Sequence, residues 1–161
     1  MKMIVAVSED WGIGKDNGLL FSIPADMKFF RETTKDSVVI MGRKTLESFP
    51  GGKPLKNRVN IVLTGNKDYD TEAVVCTSKE AVIEEAGKYS DKNIFVIGGA
   101  SIYELFEDCC DTAYVTKVKA LADADTFFMN LDEKEEWKLT EKSEPIEDNG
   151  YVIEFCKYSK L

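Results

Sequence analysis

Two aliphatic runs constrain the fold most. Ser37-Val38-Val39-Ile40-Met41 and Val59-Asn60-Ile61-Val62-Leu63 show almost no polar alternation. A strand with one wet face alternates apolar and polar residues. A run this uniformly apolar suits a strand covered on both faces, as in a parallel sheet between helical layers. Strand-like runs recur near 3–8, 37–41, 59–64, 73–76, 94–97, 113–118, 136–142 and 151–158. Helical patterns lie near 24–34, 43–48, 79–89 and 100–108. Strands alternating with helices specify an α/β class. Asp148-Asn149-Gly150 carries an Asn-Gly turn signal between the last two runs. It predicts an antiparallel C-terminal hairpin, with a loop longer than two residues, closing the sheet edge. The expectation is one domain over 1–161: a mainly parallel eight-stranded sheet with that hairpin, flanked by four helices.

Composition removes several function classes. The 161 residues suffice for a real hydrophobic core. A net charge of -8 argues against a general nucleic-acid or anionic-membrane binder, which needs a basic field. A local Lys/Arg cluster can still hold a small anion. No apolar run reaches about 18 residues, so no membrane span is expected. The first residues, Met1-Lys2-Met3-Ile4-Val5-Ala6-Val7, read as a strand rather than a signal peptide. Cys76, Cys109, Cys110 and Cys156 form no CxxC pair, and no His exists to complete a mixed zinc site. We expect reduced, mostly buried thiols, no metal and a cytoplasmic location. The acidic stretch 132–136 reads as a solvated connection.

Without histidine, proton chemistry falls to a carboxylate, tyrosine, lysine, cysteine or water. Asp26 is the carboxylate in the most apolar setting. Pro24 suits the first turn of a helix, and Ile23, Met27 and Phe30 then recur as one stripe with Asp26 pointing along it. An acid on a buried face needs a partner or a job. A first-turn Asp facing the positive end of the helix dipole is the plain structural alternative.

Three further segments bear on binding. The loop 9–22 is long and glycine-rich, yet contains Trp11, Ile13, Leu19, Leu20 and Phe21. It reads either as a cover over a ligand or as a loop tucked onto the core. Its glycines do not match GxGxxG. Val39-Ile40-Met41-Gly42-Arg43-Lys44-Thr45 runs from a strand through glycine into a helix, a junction suited to phosphate. Arg43 and Lys44 fit the 2′-phosphate of NADP better than the bare ribose of NAD. Ile94-Phe95-Val96-Ile97-Gly98-Gly99-Ala100-Ser101-Ile102-Tyr103 is a second such junction, either a ligand turn or a plain tight turn. Ligands of open α/β sheets sit beyond the carboxyl ends of strands, where both turns lie. Together they suggest a dinucleotide beside a flat, mostly apolar ligand.

In order and spacing, Ile13-Gly14, Ile23-Pro24-Ala25-Asp26, Val39-Ile40-Met41-Gly42-Arg43, Ile97-Gly98-Gly99 and Asp125-Thr126 closely resemble dihydrofolate reductases of the bacterial chromosomal type, nearly end to end. The resemblance implies reduction of 7,8-dihydrofolate by NADPH to 5,6,7,8-tetrahydrofolate, supporting one-carbon metabolism and thymidylate synthesis. It implies a monomer, and inhibition by antifolates such as trimethoprim or methotrexate. Asp26 would be the sole acid in the pterin pocket and the catalytic residue, with Thr116 bonded to it. Ile4, Val5, Ala6, Met27, Phe30, Phe49 and Leu55 would line the pterin and aminobenzoyl pocket, bordered by Phe21, Ile97 and Tyr103. Arg58 would pair with the glutamate α-carboxylate. Arg43, Lys44, Thr45 and Thr64 would hold cofactor phosphates and adenosine. Gly98, Gly99, Ala100, Ser101, Ile102 and Tyr103 would lie along the pyrophosphate and nicotinamide. Ala6, Ile13 and Gly14 would face the nicotinamide. Gly42, Leu63, Ile97 and Thr126 complete the cofactor set. The family also has a cis bond between the paired glycines. Phe21 replaces the family's usual tryptophan and cannot donate an indole N–H. Gly65 and Ser101 lack the polar or basic side chains often found there. A pyrimidine reductase of the same fold would share these turns but give Asp26 and Arg58 no clear purpose.

Overall fold

The structure, a computed structural model, describes residues 1–16 and 18–161. In chain order the elements are β1 (Lys2–Val7), β2 (Gly12–Lys15), β3 (Gly18–Leu19), α1 (Pro24–Thr34), β4 (Val38–Gly42), α2 (Arg43–Glu47), β5 (Val59–Leu63), β6 (Val74–Cys76), α3 (Lys79–Ala86), β7 (Ile94–Gly98), α4 (Ala100–Phe106), β8 (Thr112–Val118), β9 (Thr126–Phe127), β10 (Trp137–Lys142), β11 (Ile146–Asp148) and β12 (Tyr151–Lys160). The main sheet runs β10-β12-β8-β1-β7-β4-β5-β6, with β11 attached to β12. Pairings from β8 to β6 are parallel, while β12 is antiparallel to β8, β10 and β11.

β4 explains the sandwich. Val38, Val39, Ile40 and Met41 are all fully buried. Val38 and Ile40 join one cluster with Met3, Val5 and Val7, whereas Val39 and Met41 join another with Ile4, Phe95 and Ile97. Successive side chains point to opposite faces, so an unbroken aliphatic run feeds two cores at once. Each such side chain removed from water contributes about 1.5–3 kcal/mol.

The C-terminal hairpin differs from the expectation. Asp148 pairs directly with Tyr151, so Asn149-Gly150 is a two-residue loop. Both residues have positive φ, 50° and 82°, the backbone that a tight hairpin following the strand twist requires. The extra strand β11 is what shortens the loop, and it was hidden because three residues carry too little pattern. β12 lies second from the edge and β10 takes the edge itself. A small sheet β3-β2-β9 forms from the first loop and was likewise unforeseen. Asp132, in the acidic stretch, is more than solvated: it accepts from Tyr158 Oη at 2.6 Å and Lys117 Nζ at 2.9 Å. Cys76, Cys110 and Cys156 are buried, Cys109 is half-buried, and all four are free thiols. Among the described residues, no helix is long and apolar enough to cross a membrane.

Candidate active site

Strand order defines the cleft. β7 and β8 lie on opposite sides of β1, so the connection through α4 crosses from one side of β1 to the other. A reversal of this kind opens a crevice at the carboxyl ends of the strands. The Gly98-Gly99 turn, at the end of β7, stands at that reversal.

Asp26 sits in the first turn of α1, and Thr116 lies in mid-β8, paired across to Ala6. The Thr116 hydroxyl donates to Asp26 Oδ1 at 2.7 Å. Burial pushes the Asp26 carboxyl above its usual range, and the Thr116 hydrogen bond partly opposes this by favouring the charged form. One oxygen is thereby oriented, while a carboxylate retains further lone pairs for a ligand. Ile23 is buried as expected, but Met27 is 54% exposed, so the stripe is not continuous. Its place in the packing is taken by Phe29, stacked on Phe155 with centroids 4.5 Å apart.

Phe30, Phe49 and Leu55 pack with Ile4 and Ile97 in one cluster, which unites five of the residues expected to line the flat pocket. Val5 does not join them. Alternation along β1 turns its side chain to the opposite core, leaving only its backbone toward that face. The Tyr103 hydroxyl donates to Ile4 O at 2.7 Å, and burial, then the Asp26 charge, drives its pKa upward. Phe21 packs edge-on against Tyr151 at 5.1 Å. Arg58 is fixed by its Nε donating to Lys56 O at 2.9 Å and its Nη1 donating to Thr34 Oγ1 at 3.0 Å. Desolvation, then repulsion from Arg31, lowers its pKa, so two cations gather at this end of the cleft.

The second half of the site is a cradle. The Gly98-Gly99 bond is cis, as expected, and Gly98 has φ 132°, a conformation that L side chains rarely adopt. Thr45 Oγ1 would be 3.5 Å from a Cβ on Gly98 and 3.8 Å from one on Gly99, which brings the two glycine-bearing junctions together. A Cβ on Gly42 would lie 3.2 Å from Ile102 Cγ1, so close approach keeps that position small. α2 and α4 begin at Gly42 and Gly99 without side-chain caps and without acidic residues in their first turns. Their leading N–H groups therefore suit phosphate. Arg43 and Lys44 are exposed beside them, with Arg43 Nε 3.5 Å from Glu47 Oε1. Ala100 is half-buried, Ser101 exposed, and Leu63, which ends β5, and Thr64 just beyond it are half-buried. First turns free of acidic residues, a side-chain-free edge and nearby cations fit the diphosphate of a dinucleotide.

The first loop is docked rather than free. Asp125 N–H donates to Gly14 O at 3.0 Å, and Asp16 N–H donates to Asp125 Oδ2 at 3.0 Å. Lys15 pairs with Asp123 at 3.1 Å. Ile13 packs on the core, whereas Leu19 is 85% exposed, so the loop is partly tucked and partly presented. Thr126 pairs with Gly14, and its hydroxyl donates to Asp125 Oδ1 at 2.9 Å, a contact that holds the loop. Asp148 and Asn149 also reach the site and escaped the sequence reading. The Asp148 carboxylate accepts from Ala25 N–H at 2.7 Å across 123 residues, a separation no local pattern reveals.

Comparisons with known proteins agree with this geometry. The family model described as Dihydrofolate reductase matches residues 1–160. The dihydrofolate reductase of Bacillus subtilis is 36% identical, covering 99% of this chain and 94% of that protein. A bifunctional dihydrofolate reductase-thymidylate synthase of Glycine max is 36% identical over 81% of this chain. This chain spans only 28% to 34% of the length of such bifunctional plant relatives. Among solved structures, dihydrofolate reductase from Enterococcus faecalis complexed with NADP(H) and RAB-propyl superposes with a TM-score of 0.88. It is 34% identical and covers 99% of this chain and 95% of that one.

Proposed function

The chain belongs to the dihydrofolate reductase family, and from that membership we propose that it reduces 7,8-dihydrofolate to 5,6,7,8-tetrahydrofolate with NADPH, working as a monomer. The observation that carries this reading is the half-buried Asp26 carboxylate, oriented by Thr116 at the cleft between the apolar cluster and the glycine cradle.

The reaction adds a hydride to a ring carbon and a proton to the adjacent nitrogen. NADPH, when bound, supplies the hydride. Gly42, Arg43, Lys44, Thr45 and Thr64 would hold its phosphates and adenosine. Gly98, Gly99, Ala100, Ser101 and Ile102 would take its pyrophosphate, and Ala6, Ile13 and Gly14 would bind on the nicotinamide side. Asp26 accepts two hydrogen bonds from the amino group and ring N–H of the pterin. Its negative charge favours the protonated pterin, and this electron demand is what draws hydride. Asp26 lies at the far edge of the ring, so water delivers the proton. Ile4, Phe30, Phe49, Leu55 and Ile97 enclose the flat rings and exclude bulk solvent, while Arg58 pairs with the glutamate tail. Antifolates such as trimethoprim and methotrexate compete at the same carboxylate.

The test is loss of reduced-nicotinamide absorbance with dihydrofolate, run beside Asp26→Asn. The variant keeps size but loses charge; it should bind NADPH normally and lose at least about 100-fold in turnover at neutral pH. Near-normal turnover would remove Asp26 from the chemistry. Absence of turnover in the folded wild type would reject the reaction. The same variant should unfold at a higher temperature at neutral pH. A carboxyl with a raised folded-state pKa contributes its stability fully below the unfolded pKa and loses it as pH rises through the folded pKa, so the advantage should vanish in acid.

A further inference from the structure

Helix α1 carries Asp26 but no cap of its own. Its N-cap residue is Ile23, whose side chain accepts nothing. Pro24 has no N–H, and the N–H groups of Asp26 and Met27 both turn back to Ile23 O at 3.0 Å. The remaining first-turn donor, Ala25 N–H, is met by the Asp148 carboxylate at 2.7 Å. Its neighbour Asn149 donates its side-chain N–H to Ser22 O at 2.7 Å, and Tyr151 holds Phe21 edge-on. Thus three residues of the β11–β12 hairpin grip three positions of the segment 21–25, immediately before Asp26.

We infer that Asp148 is a positioning residue for the reaction: by capping Ala25 from across the fold, it holds the first turn of α1 in the register that aims Asp26 at the pterin. This rests on the proposed reductase activity. The physical basis is twofold. An unmet first-turn N–H weakens a helix start, and a carboxylate there also meets the positive end of the helix dipole. Thr116 fixes one oxygen of Asp26; the backbone beneath that side chain is held by Ile23, packed with Val118 and Ile153, by Phe29 on Phe155, and from the hairpin. A remote hairpin therefore joins these contacts in setting where the acid points. Asp148 bonds the helix that carries Asp26, whereas Gly42, Thr45 and Gly98 of the cradle belong to β4, α2 and β7, so its effect should fall on the pterin ligand first.

The experiment compares Asp148→Ala with Asp148→Asn, whose amide oxygen still accepts from Ala25. Two readouts are taken: hydrogen exchange at the Ala25 amide in the free protein, and steady-state kinetics with each substrate varied. In Asp148→Ala, Ala25 exchange should accelerate and kcat/KM for dihydrofolate should fall about fivefold, the effect of losing a typical cap. KM for NADPH should not change. Asp148→Asn should recover both readouts. Faster Ala25 exchange with unaltered dihydrofolate kinetics would overturn the inference. So would equal losses toward both substrates, which mark a general stabilising role, or an Asn variant that behaves like Ala. A wild type inactive on dihydrofolate would instead defeat the proposed function, while the exchange measurement still reports on the cap.

Discussion

Replacing Thr116 with valine isolates the contact that tunes the acid. Valine matches threonine in shape, Thr116 is 2% exposed, and its hydroxyl makes one described hydrogen bond, to Asp26 Oδ1 at 2.7 Å. A hydrogen bond to a charged group contributes about 1.5–3 kcal/mol. Asp26 is only half-buried, so the lower value applies. Burial already drives the Asp26 pKa upward and the Thr116 bond is what opposes it, so losing the bond should raise that pKa further. The assay is kcat/KM for dihydrofolate at saturating NADPH across about pH 5 to 9, where the variant's acid limb should move to higher pH. Stability in urea gives an independent check. The bond favours ionised Asp26, so its stabilisation is complete above the folded-state pKa and fades as pH falls through it. The variant should therefore be less stable by about 1.5 kcal/mol at high pH, with the deficit shrinking in acid. An unmoved acid limb, or a pH-independent deficit, would refute the assignment of Thr116 as the group that holds the carboxylate charge.

Two further outcomes follow from the same geometry. Arg58→Lys loses the planar fork now anchored on Thr34 and Lys56, and should raise KM for dihydrofolate about tenfold with little change in kcat; an unchanged KM would remove Arg58 from the site. Gly98→Ala places a side chain at φ 132°, which costs about 1–3 kcal/mol, and should weaken NADPH binding measured by fluorescence titration. Wild-type affinity in that variant would show that the turn tolerates a Cβ.

Much of the scaffold was legible because its signals are local. The doubly covered β4, the strand–glycine–helix junctions at Gly42 and Gly98-Gly99, and the Pro24 helix start all announce themselves within about five residues. The residues Ile4, Phe30, Phe49, Leu55 and Ile97 were assigned to one pocket by family resemblance, and packing unites them. What escaped depends on partners distant in the chain. Met27 sits at helical spacing with Ile23 and Phe30, yet it is 54% exposed. Val5 was grouped with Ile4, but strand alternation sends neighbours to opposite cores. β11 exists because β12 offers it an edge, and three residues have no strand pattern of their own.

The sequence by itself determined the class of fold and the positions of both glycine turns, and it singled out Asp26 as a candidate, because periodicity, missing side chains and the absence of histidine act through residue type alone. The tertiary structure decided how that carboxylate is held and charged. Thr116 is 90 residues away from it, and the cap on its helix comes from Asp148, 123 residues from Ala25. A hydrogen bond is set by a distance of about 3 Å in space. Contacts at such separations exist only after the sheet has aligned β8 with β12 and brought both against α1.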